Sequence, residues 1–372
     1  MAGQQKPKGR KRWAIGLATG TGILGLSLTS GLTMLAYRFV EEFSRPHLVL
    51  EESVFEWEIP HTAPEPPLSQ QRSLLFKTVD NTLLRGDFWA QPHKAPTIIL
   101  CHGYRVSRAY LRAAAELEYQ RGYNVLSFDF RGHGESDIVT TSGGKAEVRD
   151  LEAAIFVASR QPETLPGKII IYGFSMGASV ALLMPPHPDV VAIIADSPYA
   201  HSDDILRRLV NYRLNQESRD WMPLLQVLRH LFPIIAWATI VTSIVVFRLR
   251  FGFHFVAHPA WSFKYWKTRA NARKLPIIVK TASKKQIMHH RTPILLIHSS
   301  GDMLIPIDHA RMIAAEAMLN NVPLETYFVD HPAHCGAYIC NPDRYTSMLE
   351  KFLEHHLGDD FPGLHRKIDI IG

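Results

Sequence analysis

The sequence predicts an α/β fold: a mostly parallel central sheet covered by helices on both faces, with an inserted helical cap and an N-terminal transmembrane helix. Three observations carry this prediction. Short apolar strands alternate with helical stretches; about 95 residues interrupt that alternation between two of the strands; and 25 uncharged residues follow a basic N-terminus.

At 372 residues the chain is long enough for one large core with an inserted subdomain. Residues 1–12 form a basic tail, with Lys6, Lys8, Arg10, Lys11 and Arg12 and no acid. Trp13 to Tyr37 is uncharged and bounded by Arg12 and Arg38. Roughly 20 apolar residues suffice to cross a bilayer as a helix. The run is longer than the core of a cleaved signal peptide and lacks its small-residue cleavage site, so an uncleaved anchor over 13–37 is expected. The basic cluster places the N-terminus in the cytoplasm and the remaining chain on the far side. Ala2 rather than Gly follows the initiator Met, so a myristoylation signal is lacking.

Residues 38–72 read as a linker, proline-rich from 56 onward. The first part of the core, 73–196, opens with Leu74–Thr78 and Leu83–Trp89 flanking Asp80-Asn81, a hairpin signal. Apolar strands follow at Thr97–Cys101, Asn124–Phe130, Lys168–Gly173 and Val190–Asp196. Helical patterns fall near 107–121, 144–160 and 176–184. The second part, 292–357, contains strands Pro293–His298 and Leu324–Val329 and helices near 307–320 and 342–356, and residues 358–372 form a C-terminal tail.

Residues 197–291 are too many for a loop in a compact domain and read as a cap. They hold 16 Lys/Arg against 4 Asp/Glu, a basic insert in an otherwise acidic body. Within them Leu231–Phe247 is uncharged, with Arg248, Arg250, Lys264, Lys267, Trp261, Tyr265 and Trp266 following. Two readings stay open: a buried cap helix, apolar all round, or a helix lying in a membrane interface. Three cysteines are too few for a disulfide-built scaffold; Cys335 and Cys340 either pair or stay free, and free thiols fit better.

Chemistry concentrates in Gly173-Phe174-Ser175-Met176-Gly177. This is a G-x-S-x-G frame between an apolar strand and a helix, the context in which a strained turn lifts a serine oxygen clear of the sheet edge. A serine hydroxyl needs a base, itself held by an acid. Downstream, Asp302 and His334 each follow a strand, at the edge where open α/β sheets bind ligands.

With His102-Gly103-Tyr104 and Asp129-Phe130-Arg131-Gly132-His133-Gly134-Glu135-Ser136 added, the chain resembles the α/β-hydrolase family over roughly 73–357 apart from the cap. The similarity is to its membrane-anchored, esterase/lipase/serine aminopeptidase-like branch. The resemblance implies Ser175 as nucleophile, Asp302 as orienting acid, His334 as general base, and the backbone N–H groups of Tyr104 and Met176 as oxyanion hole. Asp196, Asp308 and Asp330 are rival acids and His331 a rival base. Asp129, Arg131 and His133 are expected to hold a tight turn, and His102 to anchor the oxyanion loop.

The expectation is a serine hydrolase cleaving an ester or thioester of a lipophilic substrate. A serine peptidase of the same fold, or a non-catalytic tethered interaction protein, are the alternatives. The run 231–247 is not expected to span, because a single crossing there would separate Ser175 from Asp302 and His334. Metal-ligand spacing and phosphate-cradling glycine loops are lacking, so no cofactor or metal is expected. The expected partner is a lipid bilayer and not nucleic acid.

Overall fold

The computed structural model describes residues 29–46, 68–220, 228–252, 255–264 and 292–362. The basic tail, residues 13–28 of the expected anchor, most of the linker, residues 265–291 and the end of the C-terminal tail lie outside the described residues.

Eight strands form one sheet. They are β1 (Gln71–Lys77), β2 (Leu83–Trp89), β3 (Ala95–Cys101), β4 (Asn124–Phe128), β5 (Thr164–Phe174), β6 (Val190–Asp196), β7 (Ile294–Ser299) and β8 (Leu324–Val329), in the order β1-β2-β4-β3-β5-β6-β7-β8. The β1–β2 and β2–β4 pairs are antiparallel and the other five are parallel. The hairpin falls where the Asp80-Asn81 signal lies: Asn81 takes φ 64° and its N–H donates to the Thr78 carbonyl at 3.0 Å.

Parallel strands read as continuous apolar runs because both faces are covered. Ile99, Ile171, Ile193 and Leu296 face one buried cluster with Leu151, Ile155, Val180 and Ile313. Their alternating neighbours Ile98, Ile170, Ile194 and Leu295 face a second cluster with Ala114, Leu349 and Phe352. The helices supplying these contacts, including α2 (Arg112–Gln120), α3 (Val148–Ala158) and α4 (Met176–Leu183), therefore cover both faces of the sheet. β4 lies on one side of β3 and β5 on the other, so the chain reverses its winding at the β3–β5 pair. Ligands in open α/β sheets bind outside the carboxyl ends of strands at such a point.

The chain divides into two compact units. The larger, Glu42–Ile205 with Phe255–Gly372, contains the whole sheet. The smaller joins residues up to Glu41 with Leu206–His254, so the ends of the expected 197–291 insertion belong to the sheet-bearing unit. Helix α1 over residues 29–44 begins inside the expected anchor in the smaller unit, and its last residues, from Glu42, belong to the sheet-bearing unit. It runs past Tyr37, where the linker was expected to start, because residues 38–44 contain neither proline nor glycine. The insertion contributes α5 (Ser202–Asp220) and α6 (Phe232–Phe251).

The Asp129–Ser136 segment is an ion-paired turn, as expected. Arg131 is buried, donates to both carboxylate oxygens of Asp150 (2.6 and 3.1 Å) and reaches Asp80 at 2.9 Å. Asp129 accepts from the backbone of Arg108 (2.7 Å) and of Glu135 (2.9 Å) and pairs with the Arg108 guanidinium. A Cβ on Gly134 would lie 2.3 Å from the Asp129 carboxylate, so glycine is required there. Replacing Arg131 with Met strands the fully buried Asp150 and is expected to lower stability by about 3–5 kcal/mol. Urea unfolding measures this, and a change below about 1 kcal/mol would show that the network is not structural.

Candidate active site

Ser175 is the single residue between β5 and α4, at φ 54° and ψ −112°. Its two flanking glycines explain how the turn closes. A Cβ on Gly173 would lie 2.5 Å from the Ala178 nitrogen, and one on Gly177 would lie 2.1 Å from the Cys101 carbonyl oxygen of β3. Real side chains cannot enter such gaps. The Ser175 N–H is tied to the Asp196 carbonyl of β6 at 2.8 Å, so three neighbouring strands hold the turn. Met176 is the first residue of α4, where backbone N–H groups lack intrahelical acceptors.

Asp302 and His334 come together from the loops after β7 and β8. His334 Nδ1 lies 2.6 Å from Asp302 Oδ2, and both side chains are buried. The other carboxylate oxygen accepts the N–H groups of Leu304 (2.9 Å) and Ile305 (2.8 Å), which fixes the carboxylate plane. As Oδ2 is an acceptor, Nδ1 carries the proton and Nε2 presents the lone pair. The two loops pack tightly: Gly301 donates to the His331 carbonyl at 3.1 Å, and a Cβ there would sit 2.9 Å from that oxygen. Cys335, next to His334, has its thiol against the Ser175 backbone and the Ser197 side chain, and burial pushes that thiol well above its ordinary range. The histidine loop is thereby seated on the serine turn.

The rivals have other partners. Asp196 accepts from Tyr345 Oη (2.9 Å) and Ser197 Oγ (2.9 Å). Burial pushes its carboxyl up to about 6. Asp308 opens the helix Asp308–Leu319 and pairs with Arg311 at 3.0 Å. Asp330 accepts from Ser300 Oγ at 3.0 Å, bridging the two loops. His331 Nδ1 accepts the Ala333 N–H at 3.1 Å, a bond within its own loop. All three cysteines are free, with Cys101 and Cys335 buried and Cys340 exposed.

The loop carrying Tyr104 is anchored by His102. The Phe130 N–H donates to its Nε2 at 2.9 Å, leaving Nδ1–H to donate to the Gly103 carbonyl at 2.7 Å. That pattern requires a neutral ring, and burial lowers the His102 pKa to about 4. His133 stacks edge-on against His102, with ring centroids 5.1 Å apart, and is lowered by the same cause to about 3.

Several contributors were not expected from sequence. The last turn of α1 packs on the loop carrying Tyr104: Phe43 stacks on Tyr104 with centroids 5.4 Å apart, and its carbonyl accepts the Tyr104 hydroxyl at 2.8 Å. Arg105 donates to Glu42 at 3.0 Å. His298 at the end of β7 is buried, donates Nε2–H to the Ile305 carbonyl at 2.7 Å and braces the loop carrying Asp302. Asp196, Tyr345 and Tyr172 form a buried hydroxyl–carboxylate chain beneath the site. Among the described residues, no group of three or more His, Cys, Asp or Glu could hold a metal ion. A cavity of about 360 Å³ lined by Trp89, Arg108 and Ser127 involves none of Ser175, Asp302 or His334.

The tautomer of His102 gives a pH prediction. Its folded pKa lies below the unfolded value, so stability from the neutral ring is present above about 6.5 and is lost as pH falls toward 4. Nitrogen-detected NMR at pH 5 should find His102 neutral and protonated on Nδ1. Titration near 6.5 would contradict the anchor described here.

Residues 92–329 match the profile of the family described as "Serine aminopeptidase, S33", which covers more than half of the chain. A Bacillus subtilis (strain 168) protein, YqkD, is 29% identical over 269 residues, spanning 71% of this chain and 73% of that protein. A thiohydrolase of Arthrinium phaeospermum, apmlB, is 27% identical over 133 residues, 34% of this chain and 43% of that protein. Among solved structures, the Pyrococcus furiosus esterase Pf2001 superposes with a TM-score of 0.56 at 22% identity, covering 80% of this chain and 99% of that one; it shares the fold. The chain belongs to the serine aminopeptidase S33 family of α/β hydrolases.

Proposed function

We propose that this hydrolase cleaves a carboxylic ester or thioester of a lipophilic substrate through an acyl-enzyme on Ser175. The observation that carries the reading is the 2.6 Å contact of His334 Nδ1 with Asp302, on a loop seated against the strained Ser175 turn. Ser175 Oγ attacks the acyl carbonyl and passes its proton to His334 Nε2. The charge developing on the carbonyl oxygen falls to the N–H groups of Tyr104 and Met176, the second at a positive helix terminus. The imidazolium, held by Asp302, protonates the departing alkoxide or thiolate. Water then attacks the acyl-enzyme, giving its proton to His334, and the carboxylic acid leaves with Ser175 restored.

The thiohydrolase relative favours thioester chemistry, and the uncharged run 13–37 favours a lipid-borne substrate. In this reading that run anchors the protein, with the N-terminus cytoplasmic and the sheet-bearing unit on the other side. The family description favours a second reading, a peptidase removing N-terminal residues. The same residues would serve, with His334 protonating the leaving amine.

A fluorophosphonate probe should label the wild-type chain and not Ser175→Ala, with His334→Ala labelled far more slowly. Asp302→Asn should lower kcat by about 10³–10⁴ while leaving the fold intact. Labelling that persists unchanged in Ser175→Ala would refute the assignment. Turnover of p-nitrophenyl esters against aminoacyl anilides ranks the two chemistries: anilides as the better substrates would displace the esterase reading.

A further inference from the structure

We propose that α6 lies along a lipid bilayer surface with one defined face in the acyl region. The helix is apolar on the wrong side for water. Its exposed large apolar residues recur every three or four positions: Ile234 (61% exposed), Trp237 (53%), Val241 (43%), Val245 (54%) and Leu249 (82%). That spacing makes one stripe along the helix length. The opposite face, formed by Phe232, Ala236, Thr239, Ile240, Ser243 and Phe247, is buried and includes the small or hydroxylated Ala236, Thr239 and Ser243, while Ala238 and Thr242 are half-buried. Their hydroxyls are satisfied on the helix itself, Thr239 Oγ1 on the Ile235 carbonyl and Ser243 Oγ on the Thr239 carbonyl, each at 2.7 Å. A water-facing helix puts such residues outward and its large apolar ones inward. Helices in lipid do the reverse, with small and hydroxyl residues at the packed face.

The neighbouring helix identifies what covers the stripe. α1 is the direct continuation of the uncharged run starting at Trp13. It meets α6 at Ser243 Oγ with the Ala36 carbonyl (3.4 Å), and at Arg250 with Tyr37 Oη (3.0 Å) and the Glu41 carboxylate. Contacts that advance together along both chains mean that the helices run in the same direction where they touch. Met34 and Tyr37 of α1 are exposed beside this contact. The exposed apolar stripe and the adjoining uncharged run fit an acyl layer, and the basic excess of residues 201–291 is complementary to anionic headgroups.

α6 lies in the interface and does not cross. At 20 residues it is about 30 Å long, enough to span. Yet β6 and β7, which precede and follow the insertion, are adjacent parallel strands of one sheet, so the chain must leave and return on the same side. Among the described residues of the insertion, the other long helix is α5, which contains eight charged residues including Asp203, Asp204, Arg207 and Arg208.

The test uses the full chain reconstituted in vesicles of phosphatidylcholine and phosphatidylglycerol whose acyl chains are brominated or not. The Trp237 emission is obtained as the difference between wild type and Trp237→Phe. Bromination is expected to quench most of it, and the double change Val241→Glu with Val245→Glu to restore it while circular dichroism stays unchanged. Trp237 emission indifferent to bromine, whether water or a second copy of the chain covers it, would overturn the proposal. So would quenching that survives the double change.

Discussion

Ser175 occupies a backbone region that costs an L-residue of order 1–3 kcal/mol, and it stays there because neighbouring strands leave no alternative. The first turn of α4 presses onto the end of β3 so closely that Gly177 admits no Cβ beside the Cys101 carbonyl. The Ser175 N–H is committed to β6 through Asp196. The strain is therefore sustained by the sheet core, whose strand ends at this edge are buried on both faces. Everything proposed about catalysis depends on this constraint, which sets the Ser175 backbone and places the Met176 N–H at a helix start.

Around that turn, buried ionisable groups are met by specific partners. Asp302 remains a useful acceptor because two backbone N–H groups and His334 saturate it. His102 is neutral because it must accept from Phe130 while donating to Gly103. Asp196, one strand over, lacks a cationic partner and takes hydroxyl donors instead, so burial raises its pKa. Two carboxyls at neighbouring strand ends thus differ in the donors that meet them.

Much of this was legible in the sequence. The strands could be read because burial on both faces writes continuous apolar runs, and the serine turn because its glycines have a steric cause. Residue order suggested Asp302 and His334, and the loops bring them to 2.6 Å. What could not be read depends on distant contacts. Tyr345 lies 149 residues from the Asp196 it bonds, and nothing local marks it. Phe43 looks like any apolar residue near an anchor, yet it stacks on Tyr104. The apolar run 231–247 left two readings open because composition does not say which face is buried. The exposure of Ile234, Trp237 and Val241 beside buried Ala236, Thr239 and Ser243 shows that the helix is not buried all round.

The central claim, that Ser175 passes an acyl group to water with His334 as base, is tested most directly by trapping the acyl-enzyme. Rapid mixing with a p-nitrophenyl ester, followed by acid quenching and peptide mass spectrometry, reads both the burst and its location. The account predicts a burst approaching one nitrophenol per chain and an acyl adduct on the Ser175 peptide, both absent from Ser175→Ala. An adduct on another residue, or turnover retained in Ser175→Ala, would contradict it.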